Sequence, residues 1–288
     1  MADIKPTVQA TKAVAAAQPK KTGSNAISWI APTIAIIIGY LFWRFYLGDP
    51  SHFEKITSPG GFWPKYDNAK GDLYRMYLGG IIVPIIIGLL LTVIIFVIER
   101  LLTVTKAQGT GNINEFIRKV QYHLANREVD KAIAECDKQK GSVGNVMKAG
   151  LKTYKELIPV SELSTEQKVI AIQKNVEEAT ALELPMLEKN LVFLSTIASV
   201  ATLFGLLGTV LGMIRSFAAL GNGGGGGSDA NELSKGISEA LYNTALGIGT
   251  SALSIIMYNI FTTKIDAITF GIDESGFTLT QSFAANYK

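Results

Sequence analysis

Two runs decide how this sequence reads: LVFLSTIASVATLFGLLGTVLGMI over residues 191–214 and GISEALYNTALGIGTSALSIIMYNIFTT over residues 236–263. The first carries no charge and the second carries only Glu239. At about 1.5 Å of rise per helical residue, either run can cross a hydrocarbon core of roughly 30 Å. Neither is a plain lipid anchor. Ser195, Thr202, Thr209 and Ser216 recur every seven residues and predict one hydroxylated stripe on a helix. Gly205, Gly208 and Gly212 lie beside it, and the Gly208–Gly212 pair has the small-xxx-small spacing that lets a second helix approach closely. The second run offers a matching face of Glu239, Asn243, Gly247, Thr250 and Ser254, widened by Thr244 and Ser251, with Asn259 two turns beyond Ser251. A carboxylate near hydrocarbon is costly unless paired, hydrated or protonated, which makes Glu239 a candidate functional residue. The competing reading is an interfacial cap at a helix start, four residues after Lys235.

Outward from this pair, the composition is that of a membrane protein: 288 residues, 48% hydrophobic and only 18% charged, with the apolar residues in long blocks. Ala26–Tyr46 follows Lys20 and Lys21, as a signal peptide would, but ends in Tyr40, Phe42, Trp43, Phe45 and Tyr46. Bulky aromatics there suit a membrane interface, so the segment is expected to be a retained span. Residues 78–98 are uncharged, Ile-rich and predicted to cross as well. Residues 1–25 read as a disordered tail, and 47–77 as a polar segment with a short interfacial helix over Tyr66–Tyr77. Residues 99–190 form a helical soluble part. Its last helix is expected to run from Glu166 into the membrane as a continuous stalk of about 50 residues, kinked at Pro185. The Gly223–Gly227 run in the link 215–235 reads as a flexible turn or an inserted linker, and 264–288 as a tail. The expected fold is all-α: four transmembrane helices, the last two extended by a long helical stalk and domain.

Charge sets the predicted orientation. Residues 99–190 hold 14 Lys and Arg, whereas the link 215–235 holds only Arg215 and Lys235. The positive side is expected to be cytoplasmic, which places both termini there and residues 47–77 and 215–235 outside. The single cysteine, Cys136, excludes an intrachain disulfide and any Cys-based metal site or redox pair. With only His52 and His123, and with no HExxH, Walker-type loop or Ser–His–Asp set, no enzyme centre, metal site or cofactor is expected. The net charge of +3 is explained by topology and gives no reason to expect nucleic acid.

The two runs also carry a resemblance. Gly205-Leu-Leu-Gly208-Thr209-Val210-x-Gly212-Met-Ile-x-Ser216-Phe217, followed by Gly236-Ile237-Ser-Glu239-Ala240-Leu241-x-x-Thr244-Ala245-x-Gly247, is similar to the signature of the ExbB/TolQ/MotA family, closest to ExbB and TolQ. The resemblance implies an inner-membrane motor subunit of a bacterial envelope system. It implies five copies around the transmembrane helices of an ExbD- or TolR-like dimer, with ion passage driving work on a TonB- or TolA-like protein. Carried over, it places Thr209 and Thr244 as pore-facing threonines and Glu239 as the acid opening the last span, while the central proton-carrying acid belongs to the partner. An ExbB-like role in uptake leads. TolQ-like envelope maintenance and a passive membrane scaffold are the alternatives. The additional span Ala26–Tyr46 and the Gly223–Gly227 run depart from the family pattern.

Overall fold

The computed structural model describes residues 26–58, 65–222 and 228–287, and almost all of them are helical. The amino-terminal tail and the Gly223–Gly227 run lie outside the described residues. Among the described residues, four helices are long and apolar enough to cross a membrane. The first is α1, Ala26–Leu41, which widens into a π-helical turn over Phe42–Leu47. It docks on α3, Ile82–Gln108, through two glycines. A Cβ on Gly39 would lie 2.7 Å from the Gly88 nitrogen, and one on Gly88 would lie 2.7 Å from the Ile36 Cα. Only backbones without side chains can meet so closely.

Beyond α1 the chain forms a small antiparallel hairpin, β1 Phe53–Ser58 and β2 Lys65–Ala69, with Phe53 opposite Ala69. The helix expected over Tyr66–Tyr77 is therefore shorter. Tyr66 lies in β2, and α2 spans only Asp72–Leu78, after the extended Gly71. Aromatic packing explains the difference. Tyr66 stacks on Phe53 at 4.3 Å, Trp43 stacks on Tyr77 at 4.6 Å, and the Tyr66 hydroxyl donates to the Gly48 carbonyl at 3.1 Å. The helical spacing of Leu73, Tyr74 and Tyr77 begins to act only past Gly71.

After α3 come α4 Ile113–Ala125, α5 Val129–Gln139, α6 Gly141–Leu157 and α7 Thr165–Glu188. The chain turns between α4 and α5 at Asn126–Glu128, where Arg127 has φ 57°. Ser164 starts α7 with a reciprocal capping box to Gln167. Next is α8, Leu191–Asn222. The stalk is not continuous with it, and the interruption falls at Lys189–Asn190, past Pro185, which stays inside α7. Last comes α9, Ser228–Asn286. Its 59 residues make a rod of about 90 Å.

The carboxyl-terminal tail expected over 264–288 is thus the helical end of α9, described to Asn286 and buried against α4, α6 and α7. Lys264, Asp266 and Asp273 break the apolar run in the sequence but sit on the exposed side, while Ile265, Ile268, Ile272, Leu279 and Phe283 are buried. The end of the chain is tied down. Asn286 Nδ2 donates to the Leu124 carbonyl at 2.9 Å, and the Thr165 hydroxyl donates to the Tyr287 carbonyl at 2.8 Å. Phe283 packs edge-on to Tyr154 at 4.8 Å. Truncating the fully buried Phe283 to Ala should cost about 3–5 kcal/mol and lower the thermal midpoint of the purified protein in detergent. Cys136 is buried in α5, and burial above all pushes its thiol up to about 12. Raising the pH from 7 to 9 should therefore produce almost no thiolate. Maleimide should leave the folded protein unlabelled at both pH values and label it rapidly once denatured.

Candidate functional site

The candidate site lies along the antiparallel pair α8 and α9, the most extensive helix contact in the chain. Glycine sets how close the two come. A Cβ on Gly205 would lie 3.2 Å from the Thr244 and Gly247 Cα atoms. One on Gly247 would lie 2.6 Å from the Ala201 carbonyl oxygen, and one on Gly212 would lie 2.6 Å from the Ala240 Cβ. Gly208 faces the Asn243 side chain. The four glycines singled out in the sequence therefore share one seam.

The seam also consumes hydroxyls. Thr244 donates to the Gly205 carbonyl at 3.0 Å, Ser254 donates to the Leu194 carbonyl at 2.6 Å, and Ser251 donates to the Ala198 carbonyl. These are bonds between helices of one chain, and Thr250 and Ser254 are buried. The α8 stripe behaves differently. Thr202, Thr209 and Ser216 bond back to their own helix, at Ala198 (3.4 Å), Leu206 (2.6 Å) and Gly212 (2.9 Å). Ser195 and Asn259 are exposed, away from the seam. The heptad stripe of α8 thus divides into an exposed end, two half-buried threonines and a buried serine.

Thr209 stands one turn beyond Gly205, the acceptor of Thr244, so the two threonines occupy neighbouring turns at the edge of the seam. Both remain half-buried rather than enclosed. Each has committed its hydrogen to a carbonyl, so its oxygen can now only accept. Such a pair can receive a hydrogen bond from a protonated carboxyl or a water molecule. Toward a carboxylate it offers nothing until a hydroxyl rotates.

Glu239 is half-buried one turn before Asn243, with Lys235 one turn earlier still. Asn243 is only 2% exposed. Its Nδ2 donates to the Gly79 carbonyl at 3.1 Å, which ties α9 to the α2–α3 corner. Its Oδ1 is buried without a hydrogen-bond partner among the described residues. The sequence marks Asn243 by its spacing but gives no sign of Gly79, which lies 164 residues away and offers only a backbone carbonyl.

Residues 138–274, which take in α6 through most of α9, match the model of the MotA/TolQ/ExbB proton channel family. This part of the chain is similar to the MotA/TolQ/ExbB proton channel family. The chain is 38% identical over 86 residues to a putative biopolymer transport protein, ExbB-like 3, of Synechocystis, covering 30% of this chain and 41% of that protein. It is 41% identical over 96 residues to the biopolymer transport protein ExbB of Helicobacter pylori, covering 33% and 64%. It is 31% identical over 119 residues to the Tol-Pal system protein TolQ of Haemophilus influenzae, covering 41% and 51%. The chain thus spans less than two thirds of the length of each of these relatives. The matched residues contain the whole glycine seam, whereas α1, the hairpin, α2, α3 and α4 fall before them.

If the seam is set by backbone contact, Gly247→Val should overpack it and destabilise the α8–α9 pair by about 1–3 kcal/mol. Gly249, two residues on, has open space around its Cβ position. Gly249→Ala should leave the melting temperature within error of the parent, as followed by circular dichroism in detergent.

Proposed function

We propose that this chain is the ring-forming subunit of an ion-driven motor in a bacterial inner membrane. In this reading it uses proton-motive force, with an ExbD-like dimer in its centre, to energise TonB-dependent uptake across the outer membrane. The observation that carries the reading is the α8–α9 seam lying within the family match, with Thr209 and Thr244 half-buried at its edge. Five copies would form the ring, with α8 and α9 lining its interior and α1 and α3 outside. The large apolar surface still open on α8 and α9, including Leu203, Val210, Phe217, Leu241 and Ile256, supports a chain that packs against further helices and lipid. The excess of Lys and Arg in residues 99–190 supports a cytoplasmic helical domain and cytoplasmic termini.

Thr209 and Thr244 would accept hydrogen bonds from the protonated form of the partner's acid, which lowers the cost of holding that acid in the membrane. Glu239 would shape the ion entrance or contact the partner. The similarity to TolQ favours one second reading, a subunit for outer-membrane maintenance. In cells whose own copy is replaced, Thr209→Val and Thr244→Val should insert and assemble. Uptake abolished by a protonophore should fall by roughly tenfold or more, about 1.4 kcal/mol. Thr244→Ser, which keeps a hydroxyl for the Gly205 carbonyl, should retain most of it. Normal uptake in both Val variants, singly and combined, would sink the pore role and leave a passive scaffold. Detergent sensitivity of the outer membrane with uptake unchanged would favour the TolQ-like reading.

A further inference from the structure

Two phenylalanines of α9 are open to water in the single chain. Phe270 and Phe277 are 68% and 67% exposed. They lie on the side of α9 opposite Ile268, Ile272 and Leu279, which are buried in the domain core. Lipid cannot cover them both. The apolar run ends at Thr263, and Lys264 and Asp266 follow it. Phe277 is 13 residues beyond Lys264, about 20 Å along the helix. A headgroup layer adds only roughly 5–8 Å to the hydrocarbon on each side. The stripe nevertheless continues one that starts in the membrane: Ile256, Thr263, Phe270, Phe277 and Ala284 recur every seven residues, and all are exposed. Such exposure is scarce elsewhere in the helical domain. Among the described residues, α5 and α6 expose no large apolar side chain, and α4 exposes only Tyr122. The exception is α7, where Ile170 is 63% and Leu182 is 53% exposed.

The two stripes lie at matching depths. α7 and α9 run antiparallel, in a register fixed by the Thr165 bond to the Tyr287 carbonyl and by Gly276, whose Cβ would lie 2.9 Å from Val176 Cγ1. Leu182 is therefore level with Phe270, and Glu188 is level with Lys264. Every copy of the chain crosses the bilayer with the same charges on the same side, so neighbouring copies present these residues at the same depth. We infer that the α9 stripe docks on the α7 face of a second copy, with Phe270 against Leu182 and Lys264 beside Glu188. Charge opposes the other pairing, α9 against α9. Exposed Asp266 and Asp273 flank Phe270 by one turn on either side, and two α9 stripes in contact would set each acid against its own counterpart. α7 instead carries both signs over these turns, Lys174 and Lys189 among Glu178 and Glu188. A contact between two different surfaces is head-to-tail, and it closes into a ring when the rotation allows. The inference rests on the ring reading above and adds the surfaces that meet outside the bilayer.

The test is a bridge between chains. Two differently tagged full-length chains, both with Cys136→Ser, are co-expressed, one with Phe270→Cys and the other with Leu182→Cys, and oxidised in native membranes. Cysteines join only where their Cα atoms come within about 7 Å. A reducible band of doubled mass carrying both tags should form. It should be roughly tenfold stronger than when Ala134→Cys, exposed on α5, replaces Phe270→Cys. Each chain carries one cysteine, so no bridge within a chain can mimic the result. Phe270→Cys joined to its own kind instead would overturn the contact in favour of α9 against α9. As a second readout, Phe277→Asp should raise the concentration at which detergent-solubilised particles dissociate by roughly tenfold in light scattering, and Phe277→Leu should not. Phe277 is exposed in the single chain, so neither change disturbs its fold. An oligomeric parent that gives no bridge, or that Phe277→Asp leaves unchanged, overturns the contact and leaves the ring standing. A parent that is a single chain at every concentration overturns both.

Discussion

Everything in the membrane half depends on how closely the α8 and α9 backbones approach. Gly205, Gly208, Gly212 and Gly247 leave no room for a side chain at the contact, and this closeness brings Thr244, Ser251 and Ser254 within reach of α8 carbonyls. Hydrogen bonds between membrane helices contribute about 0.6 kcal/mol each on average. Three of them amount to about 2 kcal/mol, less than the packing of a seam this long. Packing is therefore the cause, and the hydroxyl bonds follow from it. Backbone contact also leaves little slack, so Thr209 and Thr244 stay on neighbouring turns without a loop to hold them.

The membrane pair is joined to the helical domain by two unlike connections. α9 runs through without interruption, and its far end is buried in the domain core, pinned at Asn286 and Tyr287. α7 and α8 are instead separated at Asn190, and Arg100 occupies the carbonyls at the break. One link is a continuous helix and the other is interrupted. The α1–α3 contact is a third element of the same kind, because Gly39 and Gly88 fasten the first span to the bundle by backbone contact.

Several features were legible in the residues because they depend on local spacing. Apolar length marked the helices that can cross a membrane, and the glycine and hydroxyl periods marked the faces that meet at the seam. The family signature lies in the same two runs, since close helix approach and hydroxyl placement both demand particular residues at fixed intervals. Spacing was less informative where tertiary contact overrode it. Tyr66 reads as the start of a helix but pairs in a strand because Phe53 supplies a ring to stack on. Residues 264–288 read as a tail but are helical to Asn286 because their apolar side meets a core built by α4, α6 and α7.

By itself, then, the sequence determined an all-α membrane protein with two specialised spans, Gly-faced and hydroxylated, because helix formation and bilayer crossing respond to residues within a few turns of one another. Only the tertiary structure decided what those residues spend their bonds on. Ser251 and Ser254 serve the seam, Thr209 and Thr244 remain at its edge, Asn243 reaches the Gly79 carbonyl, and Arg100 reaches the carbonyls of Met186 and Leu187. The physical reason is that a backbone carbonyl is present at every residue and carries no signature in the side-chain sequence. Which one a donor finds is settled only when distant helices have packed.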